Sequence, residues 1–158
     1  MKTESANLAA TSNREFVAGL RGCVTAYFDA IDQWEGQFKR FNRLSGTQYR
    51  VPADLQHAQS NYLQARAALE PRIPRARQLC RRFEIYDPWP WILKVQPGSA
   101  YQTGSALSAN ERGLVTRCLR ELEFQIADTE NHSETRMRRE QLSIQAPGLL
   151  RRVLDYFL

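Results

Sequence analysis

The chain has 158 residues, 42% of them hydrophobic and 25% charged, with a net charge of +5. That length gives room for one domain with a real core, and no apolar run approaches the roughly 18 residues of a membrane span. Three widely spaced cysteines, Cys23, Cys80 and Cys118, argue for reduced thiols rather than a disulfide framework or a zinc site. The first residues lack the apolar core of a signal peptide, so the expected location is cytoplasmic.

Residues 1–11 are polar and read as a flexible N-terminal segment, ahead of a single helical domain over 12–158. Ser12 and Glu15 have the spacing of a capping box. Behind them Phe16, Leu20, Cys23, Val24, Tyr27, Ile31, Trp34, Phe38 and Phe41 recur in steps of three and four. That period places them on one core-facing stripe of a helix, which Gly46 is suited to end.

A second helix is expected from about Pro52 to Leu69, with Leu55, Ala58, Tyr62, Ala65 and Leu69 as its apolar face. Pro71 and Pro74 predict a break or kink. A third helix follows to about Ile85, with Ile73, Ala76, Leu79, Cys80 and Phe83 inward. Between Pro71 and Phe83 the chain carries Arg72, Arg75, Arg77, Arg81 and Arg82 and no acidic residue. Arg75, Arg77, Arg81 and Arg82 fall opposite the apolar side and form a face.

Residues 84–107 contain Pro88, Pro90 and Pro97 and two glycines, which forbid a continuous helix. Trp91 to Val95 is strand-like and Gln96-Pro97-Gly98-Ser99 suits a tight turn. A Pro/Trp-containing loop or a small β-hairpin is expected there. Ser108 and Glu111 repeat the capping-box spacing ahead of Val115, Cys118, Leu119, Leu122 and Ile126. The pattern then turns polar, so 109–145 reads as one helix or two. Pro147-Gly148 is a break, and Leu149, Leu150, Val153, Leu154 and Phe157 outline a short terminal amphipathic helix suited to self-association. The fold class expected is all-α, a single bundle of five to six helices.

The arginine face is the main candidate site. Arginine holds carboxylate or phosphate through a planar fork, so an acidic protein or a nucleic-acid backbone is the expected partner. The structural alternative is a solvated face, or pairing with Asp29, Asp32 and Glu35, which lie off the apolar stripe of the first helix. Trp89, Trp91 and Phe124 are candidate aromatic anchors beside the arginines, although the favoured reading of Trp89 and Trp91 is that they close one end of the bundle.

Signals for catalysis are sparse. Arg50 and His57 have six residues between them, a spacing similar to one used by small helical ribonucleases of the HEPN type. Val51-Pro52 after the arginine departs from that pattern, and no family membership is claimed on it. His132 lies four residues from Asp128, too few groups for a metal site, and no glycine-rich phosphate loop is present. No cofactor or metal is expected. The leading expectation is a non-enzymatic helical adaptor or small subunit that docks an acidic partner. Sequence-independent binding of RNA or DNA backbone is the alternative, and a small helical ribonuclease the third reading.

Overall fold

A computed structural model describes residues 12–44, 53–95 and 107–145. Among these residues the protein is all-α and has no strand. Four helices have ten residues or more: α1 (Asn13–Leu44), α2 (Ala53–Leu69), α3 (Ile73–Arg82) and α5 (Ala109–Gln145). A single turn, α4 (Trp89–Ile92), lies between α3 and α5, and a 3-10 turn, Glu70–Arg72, joins α2 to α3. No helix among the described residues is long and apolar enough to cross a membrane. Contacts group the chain into two units, Met1–Glu123 and Phe124–Leu158.

Both capping boxes form. Ser12 Oγ accepts the Glu15 N–H at 3.2 Å and Glu15 Oε2 accepts the Ser12 N–H at 3.4 Å. Ser108 Oγ accepts the Glu111 N–H at 3.2 Å and Glu111 Oε2 accepts the Ser108 N–H at 2.9 Å. Each box satisfies two N–H groups that a helix start leaves without an intrahelical partner.

In the first unit, the α1 stripe is the spine of the core. Phe16, Leu20, Val24, Tyr27 and Ile31 are buried, as are Val17 and Ala30, which widen the stripe beyond the sequence reading. From the other elements come Leu55, Tyr62, Leu69, Ala76, Leu79, Cys80, Trp89, Ile92, Val95, Val115, Cys118, Leu119 and Leu122. Each fully buried aliphatic side chain contributes about 1.5–3 kcal/mol relative to leaving it in water.

Contacts along α1 fix the direction of the neighbouring run. Arg75 of α3 meets Asn13 and Phe16 at the start of α1. Tyr62 of α2 meets Tyr27 and, edge-on at 5.2 Å, Trp34. The order is reversed, so the α2–α3 run lies antiparallel to α1. The first part of α5 is antiparallel to α1 as well. Arg21 forks onto Glu123 at 2.6 and 2.9 Å, and Arg112 forks onto Asp32 at 2.9 and 2.6 Å. The two bridges stand about three helical turns apart on each helix.

The interruption expected at Pro71 and Pro74 is present: the α-helix ends at Leu69, the 3-10 turn carries Pro71, and α3 restarts with Pro74 at an early position, where the missing N–H has no carbonyl to serve. The strand-like run from Trp91 is not half of a hairpin: Trp89 to Ile92 is a helical turn and Leu93-Lys94 a bend out of it. The Asp87 carboxylate accepts the Trp89 N–H at 3.1 Å and starts that turn, and Pro90 suits its second position. The proposed Gln96–Ser99 turn, Gly46 as a C′ residue and the terminal helix over 149–157 all lie outside the described residues. Residues 109–145 are one helix rather than two.

α3 ends at Arg82 rather than Ile85. The Ile85 N–H bonds to the Cys80 carbonyl at 2.9 Å and the Glu84 N–H to the Arg81 carbonyl at 3.4 Å. This is a Schellman ending, and its left-handed position is held by Glu84 at φ 55°, where glycine is the usual residue.

In the second unit, Asn131 to Leu142 are exposed on every side of α5. An Arg136–Glu140 pair at 3.2 Å and a His132–Asp128 pair at 3.4 Å support this stretch.

Candidate functional site: an arginine and aromatic surface at the end of α3

The five arginines do not act alike. Arg72 turns back to the Ala68 carbonyl at 2.6 Å. Arg75 is half-buried, bonded to Asn13 Oδ1 at 3.0 Å with its guanidinium 4.4 Å over the Phe16 ring. Both hold α3 in place and leave the outward set. Arg77, Arg81 and Arg82 remain exposed. Arg77 and Arg81 share one face by their i,i+4 spacing. Arg77 pairs with Asp87 at 3.0 Å. Arg82 lies 5.4 Å over the ring of Phe83, and Arg81 has no partner among the described residues. Asp29, Asp32 and Glu35 do not answer this face. Asp32 binds Arg112 instead, and all three carboxylates help raise the pKa of that guanidinium, Asp32 most through its hydrogen bond.

Asp87 ties the arginines to the aromatic segment. Its Oδ2 takes Arg77 and its Oδ1 takes the Trp89 N–H. Trp89 is 1% exposed, so it is core and not an anchor on the surface. Its indole N–H donates to Cys80 Sγ at 3.3 Å. Trp91 is half-buried; its indole N–H donates to the Tyr86 hydroxyl at 3.3 Å, and Lys94 Nζ lies 5.6 Å from its ring centre. Tyr86 is 57% exposed. Lys94 reaches on to Glu111 at 2.6 Å. Arg77 with Asp87, and Tyr86 with Trp91 and Lys94, are thus two contact groups that meet in the chain at Tyr86-Asp87, and Arg81 shares the face of Arg77.

Buried tyrosines hold this segment down. The Tyr27 hydroxyl donates to the Ile92 carbonyl at 3.1 Å and the Tyr62 hydroxyl to the Val95 carbonyl at 2.8 Å. Arg66 Nη1 donates to the Tyr62 oxygen at 3.0 Å and reaches the Val95 carbonyl at 3.4 Å. Burial raises the pKa of the Tyr27 hydroxyl, keeping it a donor across the ordinary range. Tyr86 was not singled out by sequence reasoning, and its only signal was a large aromatic two residues from Pro88.

Phe124, in the second unit, is 68% exposed. A groove of about 660 Å³ there is lined by Asn131, His132, Thr135, Arg136 and Arg139, of which His132 and Arg136 already have carboxylate neighbours. His57 is exposed on α2, and Arg50 lies outside the described residues. No group of three or more metal-ligating side chains occurs among the described residues. No family model, curated protein or solved structure matches this chain.

Proposed function

We propose that this chain is a helical bundle that works as a non-enzymatic adaptor or small subunit, docking an acidic partner through Arg77, Arg81 and Arg82 with Tyr86 and Trp91. The observation that carries this reading is the exposure of those three arginines beside an ordered aromatic pair. Cations in a last helical turn stabilise the helix by about 0.3–1 kcal/mol, and Arg81 and Arg82 occupy that turn. That role uses their charge and leaves their N–H donors facing solvent. Aromatic and arginine side chains together are the residues that dominate protein docking energetics.

Binding of a nucleic-acid backbone is the second reading, favoured by the half-buried Trp91 ring and Tyr86 as stacking surfaces. Asp87, Glu84 and Glu111 interrupt the positive surface, which favours a mixed-charge protein partner over a run of phosphates. The ribonuclease reading gains no support from an isolated, exposed His57.

The test is a titration of the purified chain across a salt series. The probes are single- and double-stranded DNA and RNA, and an acidic peptide containing Glu and Leu. Peptide binding that Arg77→Glu with Arg81→Glu abolishes, while helicity is kept, supports docking. Nucleic-acid binding whose logarithm falls linearly with log salt puts the backbone reading in its place. Binding to neither probe at low salt refutes the arginine face as a binding surface for these classes.

A further inference from the structure

Cys80 of α3 and Cys118 of α5 are 38 positions apart in sequence, yet their sulfurs lie 3.4 Å apart in the core of the first unit. Both residues are buried. The sulfurs need to approach by about 1.4 Å to reach disulfide length. Cys80 Sγ also receives the Trp89 indole N–H, so the indole donor is aimed at the Cys80 sulfur of the pair. We propose that Cys80 and Cys118 are a reactive dithiol, which a hydroperoxide converts to a reversible disulfide joining α3 to α5.

The order of events follows from the indole hydrogen bond, which stabilises a thiolate on Cys80. The contact between the two sulfurs acts in the same sense, lowering the pKa of the Cys80 thiol and raising that of Cys118, while burial acts upward on both. Cys80 is thus the nucleophile. Its thiolate attacks one oxygen of the hydroperoxide and breaks the O–O bond. Cys80 becomes a sulfenic acid, and water (or the alcohol, from an alkyl hydroperoxide) leaves. Cys118 then attacks the sulfenic sulfur. The S–S bond forms, the S–O bond breaks, and the hydroxyl leaves as water with the Cys118 proton. Two thiols and one hydroperoxide give one disulfide and two molecules of water, or one of water and one of alcohol. Trp89 covers Cys80 and sits in the segment held by the Tyr27 and Tyr62 hydroxyls, so release of that segment sets the rate of entry.

Full-length Cys23→Ser protein, which keeps only this pair, is treated with hydrogen peroxide under native conditions. Free thiols are then blocked with N-ethylmaleimide and the intact mass is read. The expected product has lost two hydrogens, takes up no maleimide, yields a linked Cys80–Cys118 peptide, and returns to the dithiol with reductant. Tyr27→Phe in the same background, by loosening the segment, is expected to crosslink several-fold faster. Persistence of both thiols, a sulfinic acid on Cys80 without a link, or a link that forms only in denaturant each overturns the proposal. So does wild-type protein in which Cys23 is the bridging residue.

Discussion

Replacing either buried tyrosine by phenylalanine removes one hydroxyl and nothing else, yet the two replacements should differ. Tyr27→Phe leaves the Ile92 carbonyl without a side-chain donor among the described residues, in a residue fully removed from solvent. A stranded buried acceptor costs about 1–3 kcal/mol, which is roughly 2–12 °C in Tm for a chain of this size. Tyr62→Phe removes the bond to the Val95 carbonyl at 2.8 Å, but Arg66 Nη1 already stands 3.4 Å from that oxygen. A shift of a few tenths of an ångström gives Val95 a charged donor in exchange. The expected loss is about 0.5–1 kcal/mol, below that of Tyr27→Phe. Adding Arg66→Ala to Tyr62→Phe removes the replacement, and the double variant should lose more than the two single changes combined. Urea unfolding of the four variants measures this, with hydrogen exchange at Leu93 to Val95 as a local readout. If Tyr62→Phe costs as much as Tyr27→Phe, or the double variant is simply additive, Arg66 does not act as the second donor and the account of this segment fails.

Glu84→Gly relieves a left-handed backbone that glycine adopts without strain; chemical denaturation should show a gain of about 0.5–1 kcal/mol, and a loss would mean the Glu84 side chain matters more than its φ. Leu20→Ala opens a cavity in the α1 stripe and should cost about 2–5 kcal/mol by the same assay. The Glu111 carboxyl is held below its ordinary pKa by the Lys94 hydrogen bond first and by the Ser108 N–H second. Its contribution to stability is therefore complete above the unfolded value of about 4.3 and is lost as pH falls through the lower folded value. An acid unfolding series should show Glu111→Gln flattening that limb, and NMR titration should place the Glu111 midpoint below the usual carboxylate range.

The helical period made most of the first unit legible. Steps of three and four named the α1 stripe, and two Ser–Glu spacings located the starts of α1 and α5. Two things were beyond the reach of the sequence. Trp91 to Val95 is rich in β-favouring residues, but its conformation is decided by Asp87 at its start and by hydroxyls from Tyr27 and Tyr62, 65 and 33 positions away. Tyrosines on an apolar stripe read as core rings, and nothing in the spacing says where their oxygens point. The arginines were legible as a face, but not the loss of Arg75 from it. That depends on where the start of α1 packs against α3, and the preference of Asp32 for Arg112 on how α1 packs against α5.

Asp87 divides its carboxylate between two tasks, one oxygen for the Arg77 guanidinium and one for the Trp89 amide. The first contact is half in water and is worth about 0–1 kcal/mol; the second begins the turn that presents Trp91. An incoming carboxylate can thus displace Asp87 from Arg77 at little net cost, while the other oxygen keeps the turn in place. On the proposed reading, Asp87 holds the place that an acidic partner would take. It keeps the arginine extended, and under the docking proposed above it would be exchanged for the partner's carboxylate.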